Sequence, residues 1–133
     1  VTLRIVAKHA DHWNVWGGAR VLAQKGAILD EHCAAVGRDP KTITRSANMA
    51  LLITDKKDQI ERLAETIATR LGRHAADPRD TCLAGTPDQI REQLHQLRAA
   101  GASVLFIATL FRPLDELRRD LDRFIAEIAP AFR

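Results

Sequence analysis

Residues Thr81 to Phe111, TCLAGTPDQIREQLHQLRAAGASVLFIATLF, decide the fold class. Thr86, followed by Pro87 and then by Gln89 three residues after the threonine, is a capping-box start, in which a hydroxyl takes an orphan helix N–H. Proline at the first helical position loses nothing, because its missing N–H has no intrahelical partner there. Ile90, Leu94 and Leu97 then share one face, while Arg91, Glu92, His95, Gln96 and Arg98 fill the rest. Gly101 closes the helix, since glycine tolerates the left-handed conformation. Val104, Leu105, Phe106, Ile107 and Ala108 follow as an apolar run without alternation, which predicts a strand covered on both faces. Such strands belong to parallel sheets with helices packed outside them.

Outward from this unit the pattern repeats. Leu3, Val6, Ala7 and Ala10 keep helical spacing from almost the first position, with no capping residue and no Met ahead of them, so the chain reads as starting inside a helix. That start suits a piece of something longer, or a start residue left out. Trp13 to Val15, with its end at Trp16, reads as a short strand stopped by Gly17-Gly18. Ala19 to Val36 reads as a long helix with Leu22, Leu29, Cys33 and Val36 on one stripe, Val21 and Ile28 beside it, and Gly37 at its end. Asp39-Pro40 forces an extended exit. Ile43 to Ile53 is the second strand, whose polar members Thr44, Ser46 and Asn48 share one face. Thr54 or Asp55 caps a helix with Ile60, Leu63, Ile67 and Leu71 buried, ending at Gly72. RHAADPRD, residues 73–80, is a polar loop. Pro113 opens the last helix, with Leu114, Leu117, Leu121, Phe124, Ile125 and Ile128 buried and Pro130 stopping it; Asp115, Arg118, Arg119, Asp120, Asp122 and Arg123 form its solvated face.

Composition narrows the function classes. The 133 residues suffice for one ordinary domain. The net charge of +3 is not concentrated: the adjacent basic pairs Lys56-Lys57 and Arg118-Arg119 sit among acids, which argues against nucleic acid as a partner. No apolar run approaches the roughly 20 residues that span a bilayer, and no signal peptide opens the chain, so a cytoplasmic protein is expected. Cys33 and Cys82 lack metal-ligand spacing and are expected as reduced structural thiols.

The order helix, strand, helix, strand, two helices, strand, helix, joined by right-handed crossovers, makes the three long strands parallel neighbours. The expected class is α/β: three strands with outer helices, an arc of a (β/α)8 TIM barrel, which in full takes about 250 residues. VTLRIVAKHADHWNVWGG, the long helix running into HCAAVGRDPKTIT, then LAGTPDQIREQLHQLRAAGASVLFIATL and the ending IAPAFR together resemble, in order, the C-terminal part of luciferase-like monooxygenases. That resemblance implies residues 1–133 as a single segment, the C-terminal portion of a luciferase-like barrel. It further implies a complete enzyme that uses FMN or the deazaflavin coenzyme F-420 on a small-molecule substrate. The family's glycine-rich phosphate loop and several strands are then expected ahead of Val1. The isolated chain is expected to be inactive, and to pair with an N-terminal half or form a homo-oligomer. One departure stands out: Ala10-Asp11-His12-Trp13 replaces the family's alanine-aspartate-glycine-tryptophan, putting a side chain where glycine allows close approach.

What the resemblance transfers is the loop after the first strand, Asn14, Trp16, Gly17 and Gly18, for the cofactor, and the loop after the last strand, Thr109, Phe111 and Arg112, for the substrate. Trp13 and Trp16, three apart in a strand, face opposite sides, one toward the core and the other toward the rim. Arg112 has two readings, a clamp for an anion or a helix-flanking charge. His9, Asp11 and His12 are the one cluster of metal-ligand types, but no further ligand follows at a matching spacing, and no metal is expected. His12 is either a general acid or base, or structural. The other class of function open to this sequence is a non-catalytic α/β module that associates through its sheet edges.

Overall fold

The structure, a computed structural model, describes residues 2–70, 80–109 and 111–132. Its strands are β1 (His12–Trp16), β2 (Thr44–Ile53), β3 (Cys82–Gly85) and β4 (Val104–Ala108). Its α-helices are α1 (Thr2–His9), α2 (Ala19–Ala35), α3 (Lys57–Arg70), α4 (Pro87–Ala99) and α5 (Leu114–Arg123). β2 is the hub of one parallel sheet. β1 pairs with Thr44 to Asn48, β4 with Ser46 to Ala50, and β3 with Ala50 to Ile53. The expected adjacency of the three long strands is what these ladders contain.

Backbone direction sorts the two edges of β2. The N–H of Thr44 bonds to Asp11 and those of Ala50 and Thr54 bond to Thr81 and Gly85, whereas the carbonyl of Arg45 accepts from Ser103. Successive peptide groups in a strand point to opposite edges, so β1 and β3 lie end to end along one edge and β4 along the other. β3 is absent from the expected order. Its four residues include Ala84 and Gly85, which have little strand propensity, and they run straight into the cap of α4.

Side chains sort by the same alternation. Trp13, Val15, Ala47, Met49, Leu51, Ile53, Leu83, Leu105 and Ile107 point to one face, where Leu22, Leu29 and Cys33 of α2, Ile90 and Leu97 of α4, Leu117 of α5 and Ile128 close the main core. Burying each such aliphatic side chain contributes about 1.5 to 3 kcal/mol. Among the described residues the opposite face is covered at its C-terminal end, where Leu63, Ala64 and Ile67 of α3 pack on Ala50, Leu52, Cys82 and Ala84. Helices therefore lie on both sides of the sheet rather than on one. Leu71, Gly72 and most of the loop 73–80 fall outside the described residues.

The start of α4 follows its sequence: Thr86 Oγ1 accepts from the Gln89 N–H, Gln89 Oε1 accepts from the Thr86 N–H, and Gly101 ends the helix at φ +99°. Four expectations need correction. β4 is not covered on both faces: Val104 and Phe106 are 37% and 46% exposed, with the His12 ring beside Phe106. In α5 and the segment after it, Leu114 and Ile125 are exposed while Asp120, expected in solvent, is buried, because its carboxylate has a partner inside. Pro130 does not stop the chain's winding: a π turn over Phe124–Ile128 leads into a 3-10 turn over Ala129–Phe132. In α2, Val36, expected on the stripe, lies outside the buried set of Leu22, Leu29 and Cys33.

Candidate functional site

The second face of the sheet gathers the polar and aromatic positions that the main core does not use. Going up this face from the N-terminal ends of the strands, His12, Asn14 and Trp16 of β1 stand in register with Thr44, Ser46 and Asn48 of β2. Phe106 of β4 is in register with Asn48 from the other side. The tryptophans divide as the spacing predicts: Trp13 is in the main core and Trp16 packs against the α3 cluster.

At the lower end His12 Nε2 lies 2.8 Å from Ser46 Oγ. Ser46 is fully buried and donates its hydroxyl proton to the Trp13 carbonyl at 3.4 Å, so the histidine is the donor in its pair with the serine. Its ring sits 6.1 Å from that of Phe106. His12 is thus tied at the start of β1, away from the C-terminal strand ends where α/β sites lie. Asp11 is held elsewhere, accepting from Arg38, which also donates to Ala7 O and Thr42 Oγ1. Among the described residues no group of three His, Cys, Asp or Glu side chains is arranged to hold a metal ion.

At the upper end Trp16 meets Phe111 edge-on, with ring centroids 5.5 Å apart and planes at 82°, and the Arg70 guanidinium lies 5.9 Å from the Phe111 ring. Phe111 and Arg112 border a hollow of about 330 Å³ with Leu52, Gln59, Arg62 and Glu116. Trp16 Nε1 and Asn48 Oδ1 are both buried without a hydrogen-bond partner. They belong to register partners on adjacent strands, one a donor and the other an acceptor. A buried polar group left unpaired costs about 1 to 3 kcal/mol, which a small rotation bringing this donor and acceptor together would relieve.

The other candidate residues are placed as follows. Asn14 is exposed on the open part of the face, one alternation below Trp16. Gly17, at φ +157°, turns the chain into α2, and a Cβ there would lie 2.8 Å from Val21 Cβ. Gly18 precedes α2 without a side-chain cap and borders a separate cavity of about 180 Å³ with Met49, Gln93 and Leu97, on the main-core side. Thr109 is exposed at the end of β4. Arg112 donates to Leu51 O at 2.7 Å and to Asp120 at 2.5 Å, with Glu116 at 3.4 Å. The structure therefore brings Trp16, Phe111 and Arg112 to one end of one face and leaves Gly18 on the other side. Asn48 was legible in the sequence only as a polar strand residue; its unpaired oxygen needed the ladder register.

A larger groove of about 580 Å³ opens on the main-core side, between α4 and the C-terminal turns, lined by Leu94, Leu97, Ile107, Phe124 and Phe132 with Arg98 at its edge. It is remote from the unpaired atoms and holds little that could do chemistry. Burial pushes the Cys82 thiol up to about 11, against a smaller lowering by the Thr81 hydroxyl. That thiol stays protonated and inert near neutrality.

No family model matches the sequence, and no curated protein matches it. Solved structures do. A coenzyme F-420-dependent tetrahydromethanopterin reductase from Methanopyrus kandleri superposes with a TM-score of 0.73 at 17% identity, over 98% of this chain and 48% of that one. An F-420-dependent secondary alcohol dehydrogenase, solved with an F-420-acetone adduct, gives 0.72 at 14% identity over 98% and 46%. The oxygenating constituent of 3,6-diketocamphane monooxygenase from Pseudomonas putida, in complex with FMN, gives 0.57 at 15% identity over 96% and 44%. The chain spans about half the length of these structures. At these identities the likeness is one of fold: the chain has the parallel α/β fold of these oxidoreductase and monooxygenase structures.

Proposed function

We propose that this chain is the C-terminal part of a luciferase-like oxidoreductase whose cofactor is FMN or coenzyme F-420 and whose substrate is a small molecule. In this reading the open face of the sheet is the inward face of a (β/α)8 barrel completed by an N-terminal half. The observation that carries it is the likeness of fold, over nearly the whole chain, to F-420-dependent structures and to one solved with FMN, with the Trp16–Phe111 edge contact at the C-terminal end of the strands. Aromatic edges at that end suit a flat ring.

When bound, a flavin or deazaflavin supplies the hydride-transfer chemistry. The chain's part is to position: Asn14, Trp16 and Gly17 toward the cofactor, and Thr109, Phe111 and Arg112 toward the substrate, while Gly18, on the main-core side, drops out of the expected set. Arg112 is held by the Leu51 carbonyl, Asp120 and Glu116, so it shapes that end of the sheet without offering a free charge. The two buried free cysteines suit a reducing compartment, the cytoplasm.

The second reading, an interaction module, draws on the exposed Val104 and Phe106 of β4. Fluorescence titration with FMN and F-420 separates the readings. Residues 1–133 alone, without the phosphate loop, should fail to bind at micromolar concentration, and the same residues within the longer polypeptide should bind. Micromolar binding by the short chain overturns the division into halves. No binding by the longer polypeptide overturns the oxidoreductase reading.

A further inference from the structure

We infer that the groove between α4, β4 and the C-terminal turns binds an aliphatic carboxylate, an unbranched apolar chain with a single negative head. This site lies on the main-core side of the sheet, apart from the Trp16–Phe111 end, and does not rest on the oxidoreductase reading.

The groove measures about 580 Å³. That falls within the range of small-molecule sites, roughly 300 to 1,000 Å³. Protein interiors leave few voids larger than a water molecule, so a space of this size is an open surface feature rather than a packing defect. Leu94, Leu97, Leu105, Ile107, Phe124 and Phe132 line it. All but Leu97 are only partly buried, so they present accessible apolar surface to whatever enters. Phe132 is braced by the His95 ring, with centroids 4.8 Å apart.

Two lining side chains are polar, Arg98 and Ser103, and the Ser103 hydroxyl is already given to the Arg45 carbonyl at 3.3 Å. The body of the ligand therefore needs no donors or acceptors of its own. Arg98 is the one charged residue of the lining. It is exposed and, unlike Arg91 and Arg123, has no hydrogen bond or ion pair among the described residues. An apolar trough with one free guanidinium at its edge is complementary to an amphiphile with one anionic head. The end of α4 decides which head. Arg98 is in the last turn of that helix, where the backbone carries partial negative charge. A doubly charged phosphate would meet that charge with a single cation to offset it, whereas a carboxylate matches the guanidinium fork with both oxygens.

The test is calorimetric titration of the 133-residue chain with hexanoate, octanoate and decanoate, each below its micelle concentration, and with octanol and octyl phosphate. Saturable binding of one molecule per chain is expected, tightening about fourfold for each added methylene. Arg98→Gln should weaken octanoate about five- to tenfold and leave octanol unchanged. Leu94→Trp, which fills the groove, should abolish binding; should that variant fail to fold, Arg98→Gln, at an exposed and unpaired position, still decides. No saturable binding at millimolar octanoate or decanoate overturns the assignment, as do affinity independent of chain length and many molecules bound per chain. Octanoate binding unchanged in Arg98→Gln, or octanol weakened as much as octanoate, overturns it too. Tighter binding of octyl phosphate overturns the carboxylate head. Binding by the short chain that disappears in the longer polypeptide of the proposed reading would make the groove the seat of another part of that polypeptide, and overturns the ligand site. None of these probes is a flavin, so every outcome leaves the oxidoreductase reading to its own titration.

Discussion

Arg112 and Asp120 form a buried ion pair at 2.5 Å, with side chains 11% and 9% exposed, that finishes the edge of β2 where β4 stops. β4 pairs only as far as Ala50, which leaves the Leu51 carbonyl and the Ile53 N–H open on that edge. Arg112 donates to the first and Asp120 accepts from the second. The two side chains thus continue the ladder by two residues, and an unpaired strand edge is closed without another strand. Gln93 does the same for β3, exchanging two hydrogen bonds with the backbone of Ala84.

Removing one partner strands the other charge. Asp120→Ala should cost about 3 to 5 kcal/mol, and Arg112→Leu a similar amount. The double substitution should cost clearly less than the sum, since no lone charge remains buried. Urea unfolding of the three variants measures this. A loss under about 1 kcal/mol for Asp120→Ala would mean that the edge is closed by other means.

Arg112 shows where reading from sequence alone reaches its limit. Its place after a buried strand was legible, and so were the strands, the capping box and the helix stripes, because each depends on neighbours within a few residues. Asp120 lay on what periodicity marks as a solvated face, and only a partner eight positions earlier, together with an Ile53 N–H far back in the chain, pulls it inside. The same holds for Phe106, whose apolar run predicts cover that no described segment provides. Long-range partners decide such cases, and periodicity carries no information about them. At the candidate site the types were legible, Trp16 and Phe111 as aromatics near the rim, but the unpaired state of Asn48 was not.

Gly17→Ala should destabilise the chain by about 1 to 3 kcal/mol. The backbone there is at φ +157° and an added Cβ would meet Val21 Cβ and Cγ1 at 2.8 Å, so conformation and space object together. Val21→Ala in the same chain should relieve the contact and recover part of the loss, leaving the backbone contribution. Thermal unfolding of the two variants and their combination is the measurement; no recovery on adding Val21→Ala would show that the steric part is negligible.

Alkali should weaken the fold through Cys82. Its folded value is raised to about 11 by burial, from 9.0 when unperturbed, so between those pH values the unfolded chain has released the proton and the folded chain still holds it. Stability therefore falls as pH rises through this window and levels off above it, by about 2 to 3 kcal/mol in all. Cys82→Ala should remove this part of the slope, at the expense of a small cavity between β3 and α3. An unchanged alkaline slope in the variant would exclude Cys82 as its source.

The last expectation concerns the face that nothing covers. Val104 and Phe106 expose apolar side chains on β4, and among the described residues no side chain closes the outer edge of that strand, in contrast to the edges served by Arg112, Asp120 and Gln93. An open edge beside an apolar face is the combination that recruits another chain. Residues 1–133 in isolation should therefore self-associate in a concentration-dependent way. Phe106→Lys should shift sedimentation toward the monomer, because a charge on that face is costly to bury, and the fold should survive because Phe106 belongs to neither core cluster. If, as proposed, the chain is the C-terminal part of a longer barrel, the rest of that barrel should suppress self-association as well. A monodisperse monomer with a single cooperative thermal transition at high concentration would mean that the exposed edge and face are tolerated and need no other chain to cover them.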